Sequence, residues 1–433
     1  ASHSARRSLM PAPVSPAGRR IRQCLLVLPL LVLIVAGLLH EPEAVHDESC
    51  LQQSDGLIVC AASDMARITR QGISRLEHPR FDLRSDNPAR LHWNVARNET
   101  IAFQLILRSD NLNNTSHVTL DVGQGDIQTS LYQAHYLQVN DAAYTWGPKT
   151  AVLPYPAAYP DALIPQQHSC DGAEHTLFDR VALPRPGRNQ SVWVEMHVPE
   201  DTAVGEHRQS LQLTPHAADA GSNGMIELDI TLNVIDATLP QKPTIDAVGE
   251  IYRAYRLEGV GEDRSSKHWQ AMAQCYQIMA HQHRMVFIER TPKTPQGAQQ
   301  WQDYLDTYSP ALSGQLFSRA SGYTGSGTDT PVSVWRTPWP QEHDVIVEAA
   351  LSDEQLDSYT QMAAQWSDIV SQNQWDETRY FAYVFDEVDG PVSQPETDPQ
   401  RHRYIARVHG DMAAIQQAID RGSKAGASDT PAI

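Results

Sequence analysis

Apolar and polar residues alternate at a period of two through residues 89–109 (ARLHWNVARNETIAFQLILRS), and the alternation recurs in HVTLDV, SLYQAHYLQV, SVWVEMHV, HRQSLQLTP and IELDITLNVID. A period of two puts every second side chain on one face, which is the pattern of a half-buried strand. Clusters of Gly, Pro, Asn and Asp separate the runs, and no helical periodicity competes with them. Residues 46–240 are therefore expected to form a β-sandwich domain.

The pattern changes after ATLPQKPTID, residues 237–246, whose prolines mark a domain boundary. AVGEIYRAY predicts a strand, followed by a helix with Trp269, Met272, Tyr276 and Met279 on one face, and MVFIER (285–290) predicts the next strand. A second helix begins at a Ser352/Gln355 capping box and carries the stripe Leu356, Tyr359, Ala363, Trp366, Val370, after which FAYVFDE returns as a strand. The last helix starts at Pro399, turns Ile405, Val408, Met412, Ile415 and Ile419 inward, and is expected to stop at Gly422. Strands alternating with helices imply a parallel sheet. The expected fold class is multidomain β plus α/β: the sandwich, then over residues 241–433 the N-terminal half of a (β/α)8 TIM-type barrel. About four strand–helix units fit that length, whereas a closed barrel takes about 250 residues. The chain is thus expected to be an incomplete reading frame, truncated before the sheet closes.

A formal charge of −18 disfavours a role in gripping nucleic acid, which requires a surplus of Lys and Arg, and favours an uncharged or locally polar ligand. Residues 1–45 read as a signal peptide or a signal anchor: Arg19, Arg20 and Arg22 precede an uncharged apolar run over residues 24–39. A cleaved signal and an anchor that stays in the membrane both fit. Either way, the chain beyond about residue 45 is expected outside the cytoplasm: periplasmic, extracellular or at the cell surface. Cys50 and Cys60 are close enough to close a small loop there, and Cys275, between Met272 and Met279, reads as a small buried apolar residue. The cluster His168, Cys170, Asp171, His175 matches no zinc spacing, so neither metal nor cofactor is expected. Asn98, Asn113, Asn114 and Asn189 stand in glycosylation sequons and suggest surface positions.

The chemistry is expected at FAYVFDEVDG, residues 381–390, a strand ending on the adjacent carboxylates Asp386 and Glu387, with Asp389 and Gly390 beyond. The C-terminal ends of parallel strands open onto the loops that hold substrate. Tyr252, Arg253 and Tyr255 near the first strand end, Glu289 and Arg290 at the second, and Trp335 and Trp339 in a proline-rich loop are candidates to line a saccharide site. Hydroxyls need charged hydrogen-bond partners, and the apolar face of a sugar packs on an aromatic ring. Packing or a surface ion pair accounts for each of these seven equally well. GYTGSGTDT, around Tyr323, reads as a flexible loop over the cleft and not as a phosphate cradle, because no lysine-bearing helix follows it.

NETIAFQLIL (98–107), VWVEMHVPEDTAVGEHRQSLQL (192–213), NVIDATLPQKPTID, HQHRM (281–285) and the final YVFDE occur in an order that resembles glycoside hydrolase family 123 and related proteins with domains of unknown function. The resemblance runs over about residues 56–425; it lies in the order of the pieces, none of which is specific alone. It implies a sandwich before a barrel and cleavage of terminal β-linked N-acetylgalactosamine, with Glu387 as general acid and base and Asp386 as partner of the acetamido group. Adjacent carboxylates suit that chemistry, because a substrate acetamido oxygen that attacks the anomeric carbon replaces the enzyme nucleophile of ordinary retaining enzymes. Neighbouring strand residues face opposite ways, so both acids reach one sugar only at a strand end or bulge. The mechanism needs Glu387 protonated beside an ionised Asp386. A noncatalytic envelope protein, whose sandwich binds glycan or a protein partner, is the alternative.

Overall fold

The computed structural model describes residues 50–52, 56–71, 90–112, 115–123, 125–140, 156–168, 175–217, 224–251, 266–289, 294–339, 351–383 and 399–428. The first part is built from strands β1 (Leu51–Gln52), β2 (Leu57–Ser63), β3 (Arg90–Arg97), β4 (Thr100–Ser109), β5 (His117–Val122), β6 (Gln128–Val139), β7 (Ala157–Pro165), β8 (Gln167–His168), β9 (His175–Thr176), β10 (Val181–Ala182), β11 (Gln190–His197), β12 (Gly205–His216) and β13 (Ile226–Thr238). They form a six-stranded sheet in the order β1-β2-β4-β11-β6-β7 and a five-stranded sheet in the order β10-β5-β12-β13-β3, with β8 and β9 as a separate pair. Every pairing within the two large sheets is antiparallel except β13 with β3.

The period-two residues explain how these sheets meet. Phe103, Leu105 and Leu107 on β4 and Val192, Val194 and Met196 on β11 share one buried core with Leu211 and Leu213 on β12 and Leu228, Ile230 and Leu232 on β13. Full burial of each such side chain contributes about 1.5–3 kcal/mol of transfer free energy. The opposite face of β2 packs a smaller cluster, Ile58, Cys60, Ala62 and Ile68, against Ile106, and Cys60 is disulfide-bonded to Cys50. Cys275 is also disulfide-bonded, which corrects its reading as a plain apolar residue; its partner lies outside the described residues. The sequon residues Asn98 and Asn189 are not surface acceptors. Both are buried, and their side-chain amides donate to Leu239 O (2.9 Å) and Thr69 O (3.0 Å). Asn113 and Asn114 lie outside the described residues.

The second part contains β14 (Ala247–Ile251), α1 (Lys267–Gln282), β15 (Met285–Glu289), α2 (Gly297–Leu312), β16 (Val334–Arg336), α3 (Asp353–Asn373), β17 (Arg379–Phe381) and α4 (Pro399–Ser428). The expected half of a (β/α)8 barrel is not formed. The strands make two separate two-stranded parallel sheets, β14-β15 and β16-β17, and the described residues hold seventeen strands beside four α-helices. A barrel requires one continuous ladder of tilted, staggered strands. Here β16 and β17 are three residues long, and no ladder joins β15 to β16. Two turns of 3-10 helix and a glycine-rich segment, residues 313–333, fill the chain between α2 and β16.

Two helices differ in detail from the sequence expectation. Helix α1 buries Trp269, Ala273, Gln277, Ala280 and His281, while Met279 is exposed, so the buried face is rotated from the apolar stripe toward two polar residues. Helix α4 does not stop at Gly422 but runs to Ser428. Gly422 is buried against α3, where a Cβ would lie 2.1 Å from the Thr360 carbonyl oxygen and 2.8 Å from Ala363 Cβ. This glycine sets how closely the two helices approach. Helix α3 itself starts at the Ser352/Gln355 capping box and buries Tyr359, Ala363 and Trp366. Among the described residues no helix is long and apolar enough to cross a membrane; the apolar run 24–39 lies outside them.

Gly422→Ala should lower stability by about 1–3 kcal/mol through overpacking, whereas Gly410→Ala, on the same helix with nothing within 4 Å, should raise it by about 0.5–1 kcal/mol. Urea unfolding of both variants checks the contrast. Equal effects at the two positions would remove Gly422 from the helix contact.

Candidate active site at the strand ends

The C-terminal ends of parallel strands are where α/β sheets present ligand-binding groups, and in this protein both parallel pairs end on the same side. Ile251 is in register with Glu289, and Arg336 with Phe381. Thr294, just after β15, donates its hydroxyl to Pro338 O just after β16 (3.0 Å). At the opposite end Arg379, which begins β17, is ion-paired with Asp246, the residue before β14.

Three of the sequence-derived site residues lie in this described region. Glu289 accepts from Tyr308 Oη at 3.4 Å and is half-buried at the end of β15. Trp335 and Trp339 are not at the surface: they are 3% and 2% exposed. The Trp335 indole donates to Tyr304 Oη at 2.8 Å and its ring lies 5.2 Å from that of Tyr308, while the Trp339 ring meets Trp366 edge-on at 5.7 Å. Neither presents a face on which a sugar would stack. Burial also pushes the Tyr304 and Tyr380 hydroxyls up from their usual titration range, so both stay neutral hydrogen-bonding groups. Asp386, Glu387, Tyr252, Arg253, Tyr255 and Arg290 lie outside the described residues.

Sequence reasoning overlooked Arg336. It closes β16 with its side chain 2% exposed, and its guanidinium carbon sits 4.8 Å from the centre of the Tyr383 ring. A buried guanidinium is stable only where electron-rich groups compensate its lost hydration. The end of β16 therefore carries a fixed positive charge beside Tyr383, which precedes Asp386 by three residues in the sequence. The available signal was a single cation inside the otherwise apolar and aromatic run VSVWRTPW.

The HQHRM element does different work from the strand ends, because it joins the two parts of the molecule. Arg284, in a left-handed backbone conformation (φ 58°), donates to Asn98 O and Pro240 O, both at 2.7 Å. His281 stacks on Phe317 at 3.7 Å and donates from Nε2 to Gly327 O at 2.9 Å. Burial holds its imidazole down at about 4, so it is neutral near pH 7. Gly327 has φ 77°, and a Cβ there would lie 2.2 Å from His281 Nε2. Gly327 N also donates to Gln241 Oε1 at 2.8 Å. The glycine-rich segment is thus pinned against α1 and the linker, not draped over the strand ends. A cavity of about 330 Å³ opens at this junction beside His197, Glu200, Gln241, Arg319 and Tyr323. Among the described residues no group of three or more His, Cys, Asp or Glu is placed to hold a metal ion.

No family model matches the chain, and no curated protein matches it. Among solved structures it is similar to a family 123 glycoside hydrolase from Clostridium perfringens, reported for glycolipid glycan hydrolysis, at 10% identity and a TM-score of 0.47, covering 84% of this chain and 61% of that one. The chain thus spans about three-fifths of that relative's length. It is also similar to the CooA pilin subunit of enterotoxigenic Escherichia coli (9% identity, TM-score 0.18, 35% of this chain and 95% of that one). A third likeness is to the collagen-binding subdomain of the Enterococcus faecalis surface protein ACE (9% identity, TM-score 0.19, 33% and 92%). Likenesses of this size decide nothing about chemistry.

Trp335→Phe keeps a ring in the cluster but removes the N–H that Tyr304 accepts, and should cost about 1–3 kcal/mol in urea unfolding without changing saccharide affinity. Weakened saccharide binding with unchanged stability would return Trp335 to the ligand.

Proposed function

We propose that the protein is an exported glycoside hydrolase that removes terminal β-linked N-acetylhexosamine, with N-acetylgalactosamine as the first candidate, by a retaining, substrate-assisted mechanism. The observation that carries this reading is β17, paired in parallel with β16, and the placement of Tyr383, after which the sequence continues as VFDE, beside the buried charge of Arg336. The sequence resemblance supplies the reaction class. The Cys50–Cys60 disulfide supports an exported setting, since such bonds persist in oxidising compartments.

In this mechanism Asp386 accepts the acetamido N–H and turns the acetamido oxygen toward the anomeric carbon. That oxygen forms the new C–O bond as the glycosidic bond breaks, and the leaving oxygen takes the proton of Glu387. Water then attacks the anomeric carbon from the face the leaving group vacated, giving up a proton to Glu387. The C–O bond to the acetamido group breaks, and two inversions leave the configuration retained. A carboxylate that must give up a proton and recover it needs a pKa near the working pH, and a neighbouring ionised carboxylate raises it in that direction. Tyr252, Arg253, Tyr255, Glu289 and Arg290 are proposed to bind sugar hydroxyls from the adjoining strand ends; Trp335 and Trp339 are assigned to the core.

Release of p-nitrophenol from its β-N-acetylgalactosaminide should be measurable for the full-length gene product. Glu387→Gln and Asp386→Asn should each lower kcat by about 100-fold or more, the usual contribution of a positioned acid–base group. Full activity in both variants would remove the pair from the mechanism, and no turnover of any β-N-acetylhexosaminide would favour a noncatalytic binding protein.

A further inference from the structure

The outer face of the six-stranded sheet, away from the shared core, carries a cavity of about 620 Å³ lined by Trp193, Gln104, Tyr159, Asp64, Arg67 and Asp161 among others. We propose that this cavity is a binding site for a neutral oligosaccharide, separate from the strand ends and independent of whether the protein is a hydrolase. None of its lining residues belongs to the second part of the molecule.

Strand register builds the site. Val192, Val194 and Met196 of β11 are fully buried in the core, so Trp193 and Glu195 point to the outer face, with Trp193 opposite Gln104 on β4 and Tyr132 on β6. The Trp193 indole N–H donates to Glu195 Oε1 at 3.2 Å, and Glu195 Oε2 accepts from Tyr132 Oη at 3.2 Å. These bonds fix the orientation of the indole and use its only polar atom. What the half-buried ring offers a ligand is its apolar face.

The wall beside the ring is equally fixed. Gln104, 4% exposed, donates from Nε2 to Ser63 O (3.0 Å) and Ala66 O (2.7 Å) and accepts from Ser191 Oγ at Oε1 (2.8 Å). Its amide ties the segment that carries Asp64 and Arg67 down over the sheet. The other wall is β7, the edge strand, which brings Tyr159 and Asp161. Asp64, Arg67 and Asp161 are exposed at the rim.

A preformed cavity with one rigid apolar ring and a rim of carboxylates and a guanidinium has the two features a neutral saccharide requires. Its C–H face packs on the indole, and its hydroxyls both donate to and accept from the charged rim. A phosphate-bearing ligand is disfavoured, because two rim carboxylates outnumber the one guanidinium and the whole chain carries a formal charge of −18. A lipid is disfavoured by the same charged rim. The volume lies within the range of small-molecule sites.

Isothermal titration of the full chain tests the proposal, with Glu387→Gln as background to prevent turnover and the β1,4-linked trisaccharides of glucose, galactose and N-acetylglucosamine as probes. At least one should bind. Trp193→Ala should weaken it about tenfold, in line with loss of an aromatic contact, while Trp193→Phe keeps most of the affinity. Asp161→Ala, an exposed change that leaves the core intact, should weaken it a few-fold through one lost hydrogen bond. A probe held only at the strand ends would titrate identically in all of these variants, and that result, or no binding of any probe, would overturn the proposal.

Discussion

Parallel pairing of β16 with β17 is the constraint on which the architecture of the candidate site depends. Two parallel strands end on the same side, so the chain leaving Phe381 emerges next to Arg336. The pair is only three residues long and cannot rely on its ladder alone. Backbone bonds extend it at both ends: Arg379 N to Ser333 O at 3.0 Å and Thr337 N to Phe381 O at 2.9 Å. The Thr378 hydroxyl adds a bond to Val332 O at 2.8 Å. Around it, Trp335, Trp366 and Tyr380 interlock with the rings of α2, and burial of these aromatics supplies what a short ladder lacks.

The same logic ties the second part to the first. Arg284 closes the C-terminal side of α1 and satisfies two carbonyls, one from the β3–β4 turn and one from the linker. The first of these is the carbonyl of Asn98 itself, whose left-handed backbone suits its short amide side chain. One residue group thus orients the parallel strands relative to the sheets, and His281 with Gly327 fixes the glycine-rich segment beside it. Rigid placement of this kind is what the proposed acid pair requires of the strands before it, since a shift of about 1 Å can cost 100-fold in rate.

Features governed by neighbours in sequence were legible before the structure. The alternation in IELDITLNVID reads directly as the inward face of β13, and the Ser352/Gln355 pair reads as the start of α3. Features governed by distant partners were not. Helix α1 buries Gln277 and His281 because Phe287 and Gly327 supply their hydrogen bonds, so an apolar stripe gives the wrong face. Gly422 looks like a helix stop until α3 lies against it. Trp335 and Trp339 look like ligand platforms in a proline-rich loop, yet α2 and α3 cover them. The order strand, helix, strand, helix is visible in the chain, but which strands ladder is set by backbone geometry, and that is why a barrel does not follow from it. Of the candidate site, the acid pair stands in the sequence as a motif that lies outside the described residues, past a strand that ends at Phe381 and not on the acids as expected, whereas Arg336 was hidden because its environment comes from burial.

If a bound amino sugar acts as its own nucleophile, the substrate's acetamido group must carry the first step, because in the proposed mechanism neither Asp386 nor Glu387 attacks carbon. The most direct test compares kcat/KM of the full-length protein for p-nitrophenyl β-N-acetylgalactosaminide and for p-nitrophenyl β-galactoside, which differ only at carbon 2. The mechanism predicts turnover of the first and no enzymatic turnover of the second. Comparable cleavage of both would contradict it.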